Sequence, residues 1–219
     1  MIIDHVGIAI NNSTCRIIGR LAFPLFAFQM AIGMKHTKNI QRHTTKLLIF
    51  ATICQIPYIV FMKMCKIDPD LNIIFTFTVS NLLVLVLDYF KVFNKKDDNK
   101  KEINWRNLLI ILLLTTLILV LANYIDVDYG IYGVLLPVFF YYAFENRILI
   151  ACVYPFMIIA HYLCNPSTIT LLGIVGTFDL LFILNYNGKK NYKNGKVFYW
   201  IYFLHLIVLI AFKYWLLSK

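Results

Sequence analysis

Apolar residues run along this chain in long blocks separated by short polar segments. A helix crossing the roughly 30 Å hydrocarbon core of a bilayer needs about 20 mostly apolar residues, and several blocks meet or approach that length. They predict spans at 16–34, 46–63, 71–93, 107–124, 130–144, 148–163, 167–186 and 197–217. Residues 1–11 read as the outer end of a further helix, because about ten residues rising 1.5 Å each cannot cross the hydrocarbon. The pattern therefore predicts an all-α fold: a polytopic integral membrane bundle of eight full spans plus a truncated N-terminal helix, in one domain over 1–219.

The polar segments between the blocks carry an orientation signal. One holds Lys35, Lys38, Arg42 and Lys46 with no acid. A second holds Lys91, Lys95, Lys96, Lys100, Lys101 and Arg106 against three acids, and NGKKNYKNGK holds four lysines against none. The positive-inside rule makes these three loops cytoplasmic. The alternate loops, KMCKIDPD, YIDVDYG and HYLCNPST, carry no basic excess and belong outside. Eight spans then alternate without conflict, the C-terminus lies outside, and Asp4, His5, Arg16 and Arg20 fall toward the outer half of the bilayer.

Composition agrees with a membrane protein. Hydrophobic residues make up 60% of the chain and charged residues 15%, with a mean hydropathy of +0.72. Soluble domains are about 45–50% apolar and about 25% charged. The net charge of +10 sits largely on the loops, next to anionic lipid headgroups, so no nucleic-acid partner is expected. Five dispersed cysteines, with no CxxC and no Cys/His cluster, give no metal site. Cys65 and Cys164 both face outside, which leaves a disulfide open, but free apolar cysteine is the expectation. No cleavable signal peptide is evident, and the longest loop is about 16 residues. Any chemistry must be built from helices and their ends.

Charged groups inside spans are costly and mark candidate sites. The densest cluster is DHVGIAINNSTCRIIGRLAFPLFAF. Arg16 and Arg20 are spaced i, i+4 and leave one helix face, with Gly19 beside them allowing close backbone approach. They await an anion, or pair with Asp4. His5 is either a hydrogen-bonding group between helices or a base. Asp4 cannot orient it, since neighbours on a helix point about 100° apart. Its partner must come from another helix, with Asp128, Tyr129 and His205 as candidates. Asn72 and Thr76 line a cavity or bind helices together, Asp88 pairs with Lys91, and Asp179 is a buried structural acid that a loop lysine serves.

These residues carry a resemblance. DHVG, RIIGRLAFPLFAF and the Gly33 to HTK segment at His36–Lys38 are similar to the signature of the TraX family of membrane acetyltransferases, which acetylate the amino terminus of pilin. The likeness continues through QIPY at Gln55–Tyr58, LNIIFT at Leu71–Thr76, DYGIYG at Asp128–Gly133 and YFLHL at Tyr202–Leu206. It implies a multi-pass enzyme of the bacterial inner membrane that uses acetyl-CoA, with membrane lipid and a pilin-like peptide or other acceptor as partners. It also implies His5 as general base, Arg16 and Arg20 on a cofactor anion or the oxyanion, and Asp4 or Asp128 orienting them. Lys35, His36 and Lys38 become contacts for the nucleotide, and Asn72, Tyr129 and His205 line the site. Two departures stand out. Family members carry a glutamate where Ile32 stands, and they begin about ten residues or more ahead of the DH motif.

Two other functions fit a polar membrane bundle: a transporter, and a non-catalytic assembly protein for pilin-like peptides. No internal repeat or paired broken helices support the transporter. A glutamate-dependent intramembrane protease is excluded by position, because Glu102 and Glu145 both lie in loops.

Overall fold

The structure is a computed structural model describing residues 1–90, 93–95, 101–164, 177–186 and 196–218. Its helices are α1 (Ile2–Ala9), α2 (Ser13–Arg20), α3 (Ala22–His36), α4 (Ile40–Met64), α5 (Ile73–Tyr89), α6 (Trp105–Tyr124), α7 (Gly130–Ala143), α8 (Arg147–Cys164), α9 (Asp179–Leu184) and α10 (Lys196–Leu217). Between α5 and α6, β1 (Phe93–Lys95) pairs antiparallel with β2 (Lys101–Ile103).

The helix boundaries follow local chemistry. Asn12, Asn39, Asn72 and Asn104 are N-caps whose side-chain oxygens accept the first free backbone N–H groups of α2, α4, α5 and α6. The division between α2 and α3 at Leu21 is explained by Pro24, which has no N–H to give the Arg20 carbonyl. Three buried hydroxyls find acceptors within their own helices. Thr44, Thr78 and Ser80 donate to the carbonyls of Ile40, Ile74 and Thr76 at 2.8–3.0 Å, which removes the cost of an unpaired polar group in hydrocarbon.

Helix length does not confirm eight full spans. Among the described residues, four stretches are long and apolar enough to cross a membrane: Ser13–His36, Ile40–Met64, Trp105–Tyr124 and Tyr199–Leu217. The apolar parts of α5, α7 and α8 are shorter, Ile73–Tyr89, Gly130–Ala143 and Arg147–His161. The 14 residues of α7 rise only roughly 21 Å. Half of the 167–186 span lies outside the described residues, as do most of the lysines of the last two basic loops. The apolar character itself stands. In α6 only Ile111 and Ala122 are buried, and Leu109, Leu112, Leu113 and Leu117 are all exposed, a surface suited to lipid and not to water.

Two apolar clusters organise the interior. One joins α3, α5, α7, α8 and α9 around Phe28, Phe140 and Tyr154. The other joins α1, α4, α5 and α10 around Phe61, Tyr58 and Leu206. Helix α3 packs on α7, whereas α4 packs on α5 and α10, so the two successive helices serve different clusters.

The α4–α5 and α6–α7 loops meet at one end of the bundle, where Leu71 N–H donates to Asp126 and Asp128 N–H donates to Leu71, at 3.0 and 3.2 Å. The charge pattern had grouped these same two loops together. Burial first, then the neighbouring Asp126 and Asp68, push the Asp70 carboxyl above its ordinary range.

Asn72 ties this end together. Its Oδ1 accepts from Ile74 N–H, its Nδ2 donates to the Ala51 carbonyl and to Gln55 Oε1, and its own N–H donates to Gln55 Oε1. Asn72→Leu would strip a cap and leave Ala51 and Gln55 short of donors. We expect a loss of about 2–4 kcal/mol from these terms, read as a lower unfolding temperature in detergent with no change of oligomeric state.

Candidate functional site

A cavity of about 790 Å³ opens between α3 and α4. Ala22 and His36, at the two ends of α3, both line it, so it extends roughly 21 Å along the helix at 1.5 Å per residue. Its middle is largely apolar, with Phe26, Met30, Leu47 and Phe77 in the walls beside Gln29. Its charged and imidazole groups collect toward the ends: Asp4, His5 and Asp128, with Tyr129, at one, and His36 and His43, with Thr37, at the other.

The first end is assembled from both termini of the chain and from the α6–α7 loop. His5 is 8% exposed, and its Nδ1 lies 2.9 Å from Nε2 of His205 on α10. The ring planes differ by 4° with centroids 5.2 Å apart, the spacing of two imidazoles bonded edge to edge in one plane and not stacked face to face. His205 Nδ1 in turn lies 3.2 Å from the Ile201 carbonyl. A second link ties α1 to α10, because Lys213 Nζ donates to the Ala9 carbonyl at 2.7 Å, filling a free acceptor at the end of α1.

Glycines let α1 lie directly on α2. A Cβ at Gly19 would strike the backbone of Asp4, and one at Gly7 would sit 2.9 Å from Arg16 N and Cγ. Asp4 thereby turns toward Arg16, at 4.0 Å from Nε to Oδ1, while His5 turns away toward α10, as expected for adjacent helical residues. Arg16 is 45% exposed at the rim. Arg20 instead reaches inward, its guanidinium 4.9 Å from the Tyr129 ring centre and within the charge field of Asp4 and Asp128.

Tyr129 is held in a left-handed conformation, φ 61°, which costs an ordinary residue about 1–2 kcal/mol. The surroundings compensate. Its ring stacks on Phe23 at 3.9 Å, and Thr76 Oγ1 donates to the adjacent Asp128 carbonyl at 2.9 Å. Gly133 admits the turn, since a Cβ there would meet the Asp128 carbonyl at 2.7 Å.

The sequence candidates therefore separate. Asp4, His5, Arg20, Asp128, Tyr129 and His205 come together, with Arg16 at the edge. His36 lines the opposite end. Lys35 and Lys38 are exposed and absent from the cavity wall, Lys35 lying over the Tyr141 ring at 4.2 Å. Asn72 and Thr76 are fully buried outside the cavity, as interhelical ties. Asp88 does not need Lys91, which lies outside the described residues, because Tyr141 and Tyr142 hydroxyls donate to its two oxygens at 2.8 and 2.7 Å. Cys65 is a free thiol, and the Cys164 side chain lies outside what the structure describes. Asp179 is buried, with Oδ2 unpartnered among the described residues.

Sequence reasoning missed His43, Tyr58 and Tyr202. His43 lines the cavity with an unpartnered Nε2, and the buried Tyr202 hydroxyl likewise finds no partner among the described residues. The signals were present: Tyr58 closes QIPY, Tyr202 precedes His205 by three residues and shares its helix face, and His43 sits in the first basic segment. Ile32 and Gly33 also line the cavity, so the place of the family glutamate is an apolar stretch of wall here. No group of His, Cys, Asp and Glu able to hold a metal occurs among the described residues.

A long, largely apolar cavity within membrane-type helices, with Asp4, His5, Asp128 and Tyr129 at one end and His205 and Arg20 packed behind His5 and Tyr129, defines a polytopic membrane protein with an internal cavity. The chain belongs to the TraX family: the model described as TraX protein matches residues 1–213. No curated protein and no solved structure matches it.

Proposed function

We propose that the protein is a membrane-embedded acetyltransferase that moves an acetyl group from acetyl-CoA to an amine or hydroxyl presented at the membrane. The observation that carries this reading is the cavity, which joins a cluster suited to acyl transfer to a second, imidazole-bearing end along the whole of α3. The acetyl donor is a long molecule with a thioester at one tip and phosphates at the other. A narrow cavity running roughly 21 Å with apolar walls suits its pantetheine arm. His36 and His43 at the far end, with Lys35, Lys38, Arg42 and Lys46 in the adjoining segment, suit the nucleotide phosphates.

The chemistry needs a base and a stabilised oxyanion. His5 takes the proton from the acceptor as its nitrogen or oxygen attacks the thioester carbonyl carbon. The carbonyl oxygen gains negative charge, which Arg20 faces across Tyr129. The carbon–sulfur bond then breaks, and the thiolate leaves with the proton. Asp4 and Asp128 hold the cationic side of the cluster, and Arg16 at the rim serves Asp4. In this reading the anion nearest Arg20 is the oxyanion and not the cofactor phosphate, because Arg20 lies beside Tyr129 at the His5 end.

In this reading the basic loops are cytoplasmic and the protein is a multi-pass component of a bacterial inner membrane. The nucleotide then enters at the His36 and His43 end, and the acceptor, a pilin-like peptide or another membrane-associated amine or hydroxyl, reaches His5 from outside or from the lipid. The shorter α5, α7 and α8 count as crossings too, since irregular backbone is tolerated at depth where protein buries it.

The test is acetyl-CoA turnover by the protein in nanodiscs, followed by thiol release and labelled acetyl transfer, beside Gly33→Phe. Gly33 has open space toward the cavity, its nearest neighbour being His43 Nε2 at 3.9 Å, so a phenyl ring there would obstruct the channel and leave the His5 cluster intact. We expect KM for acetyl-CoA to rise at least tenfold. Absence of acetyl-CoA binding and turnover in the wild type would instead favour a non-catalytic assembly protein or a transporter.

A further inference from the structure

We propose that His205 is a positioning residue that fixes His5 in its Nδ1–H tautomer and so leaves His5 Nε2 as the proton acceptor. This rests on the acetyltransferase reading for its kinetic consequence, but the tautomer itself follows from hydrogen-bond direction. The Ile201 carbonyl can only accept, so His205 Nδ1, 3.2 Å away, carries a hydrogen. In a neutral imidazole the other nitrogen is then a lone-pair acceptor. His5 Nδ1, 2.9 Å from that His205 Nε2, must be the donor. His5 Nε2 is left unprotonated, and the ring lines the cavity.

The assignment needs His205 to be neutral, and its surroundings agree. It is 7% exposed, and the only salt bridge among the described residues is that of Arg16 with Asp4. The cations facing His5 are the Met1 ammonium on its own helix and Arg16 and Arg20 from α2, and the α10 residues on this side are His205 and Tyr202. Asp4 is ion-paired with Arg16, Asp128 lines the same cavity end, and among the described residues no carboxylate is hydrogen-bonded to either imidazole. The arrangement does with an imidazole what a carboxylate or amide does in known catalytic constellations, holding a base in the right tautomer and plane. An acid in that role would be a buried charge. A second neutral imidazole orients the base without one.

The test combines spectroscopy with kinetics in nanodiscs. Nitrogen-15 NMR of histidine-labelled protein, with the His5 signals assigned from His5→Gln, reads which nitrogen is protonated. We expect Nδ1–H in the wild type and a shift to Nε2–H in His205→Leu, which removes the acceptor. His205→Gln retains an acceptor oxygen near the position of Nε2. Turnover should fall about 100-fold in His205→Leu at unchanged KM for acetyl-CoA, and stay within about fivefold of the wild type in His205→Gln. An Nε2–H signal for His5 in the wild type, or equal losses in the two variants, would overturn the assignment. A wild type with the Nδ1–H signal and no acetyl transfer would uphold the tautomer and refute the acetyltransferase reading alone.

Discussion

His5→Ala lowers the rate of acetyl transfer by about 10²–10⁴-fold, the usual contribution of a positioned general base, while acetyl-CoA still binds. The separation of rate from binding follows from where His5 sits. It lines one end of the cavity, roughly 21 Å along α3 from the His36 and His43 end that would hold the phosphates. Truncating it also leaves His205 Nε2 without its hydrogen-bond donor. That costs about 1–3 kcal/mol of stability, so the variant is expected to remain folded with a modestly lower unfolding temperature. Steady-state kinetics beside isothermal titration of acetyl-CoA distinguish the cases. Equal loss of rate and binding would mean that His5 supports the fold and not the chemistry.

Gly19→Ala is the second large effect, and it acts at a distance from any reacting atom. The added methyl would meet Asp4 at its N, Cα and Cβ, all on the other side of the α1–α2 contact. Backbone cannot yield as a flexible side chain does, so α1 must move away. Overpacking of this kind costs about 1–3 kcal/mol. The larger consequence is for geometry, because α1 carries both Asp4 and His5, and a displacement near 1 Å is enough to cost about 10²-fold in rate. Gly33→Ala is the control, since its new methyl would find nothing closer than 3.9 Å. We expect a rate loss of about 100-fold in Gly19→Ala and less than about twofold in Gly33→Ala, with both proteins monodisperse by size exclusion. Similar activity in the two would show that α1 can reseat without disturbing the site.

The residues that make up the polar end were legible in the sequence because charge inside an apolar block is conspicuous. Asp4, His5, Arg20 and Asp128 stand out against their neighbours on composition alone, and i, i+1 geometry already separated the roles of Asp4 and His5. The choice among Asp128, Tyr129 and His205 as the partner of His5 was not legible. It depends on α1 lying beside α10, a contact between residues 200 positions apart. Helix length was less legible for a related reason. Apolar runs mark where a chain is greasy, but the ends of α5, α7 and α8 are set by caps, loops and tertiary ties such as Asn72. Lys35 and Asp88 show the same limit, since an aromatic ring and a pair of tyrosine hydroxyls answered charges for which sequence spacing offered only phosphate or a nearby lysine.

The joining of α1 to α10 through His5 with His205 and Ala9 with Lys213 also sets an order of events during biogenesis. A ribosome adding about 5–20 residues per second needs roughly 10–40 s to travel between the two histidines, which are 200 residues apart. For that interval the newly inserted Asp4 and His5 wait beside α2 without the helix that completes them. The imidazole pair therefore forms late in synthesis, and a nascent chain stalled before residue 205 carries Asp4, His5, Arg20, Asp128 and Tyr129 without the second imidazole that orients the base.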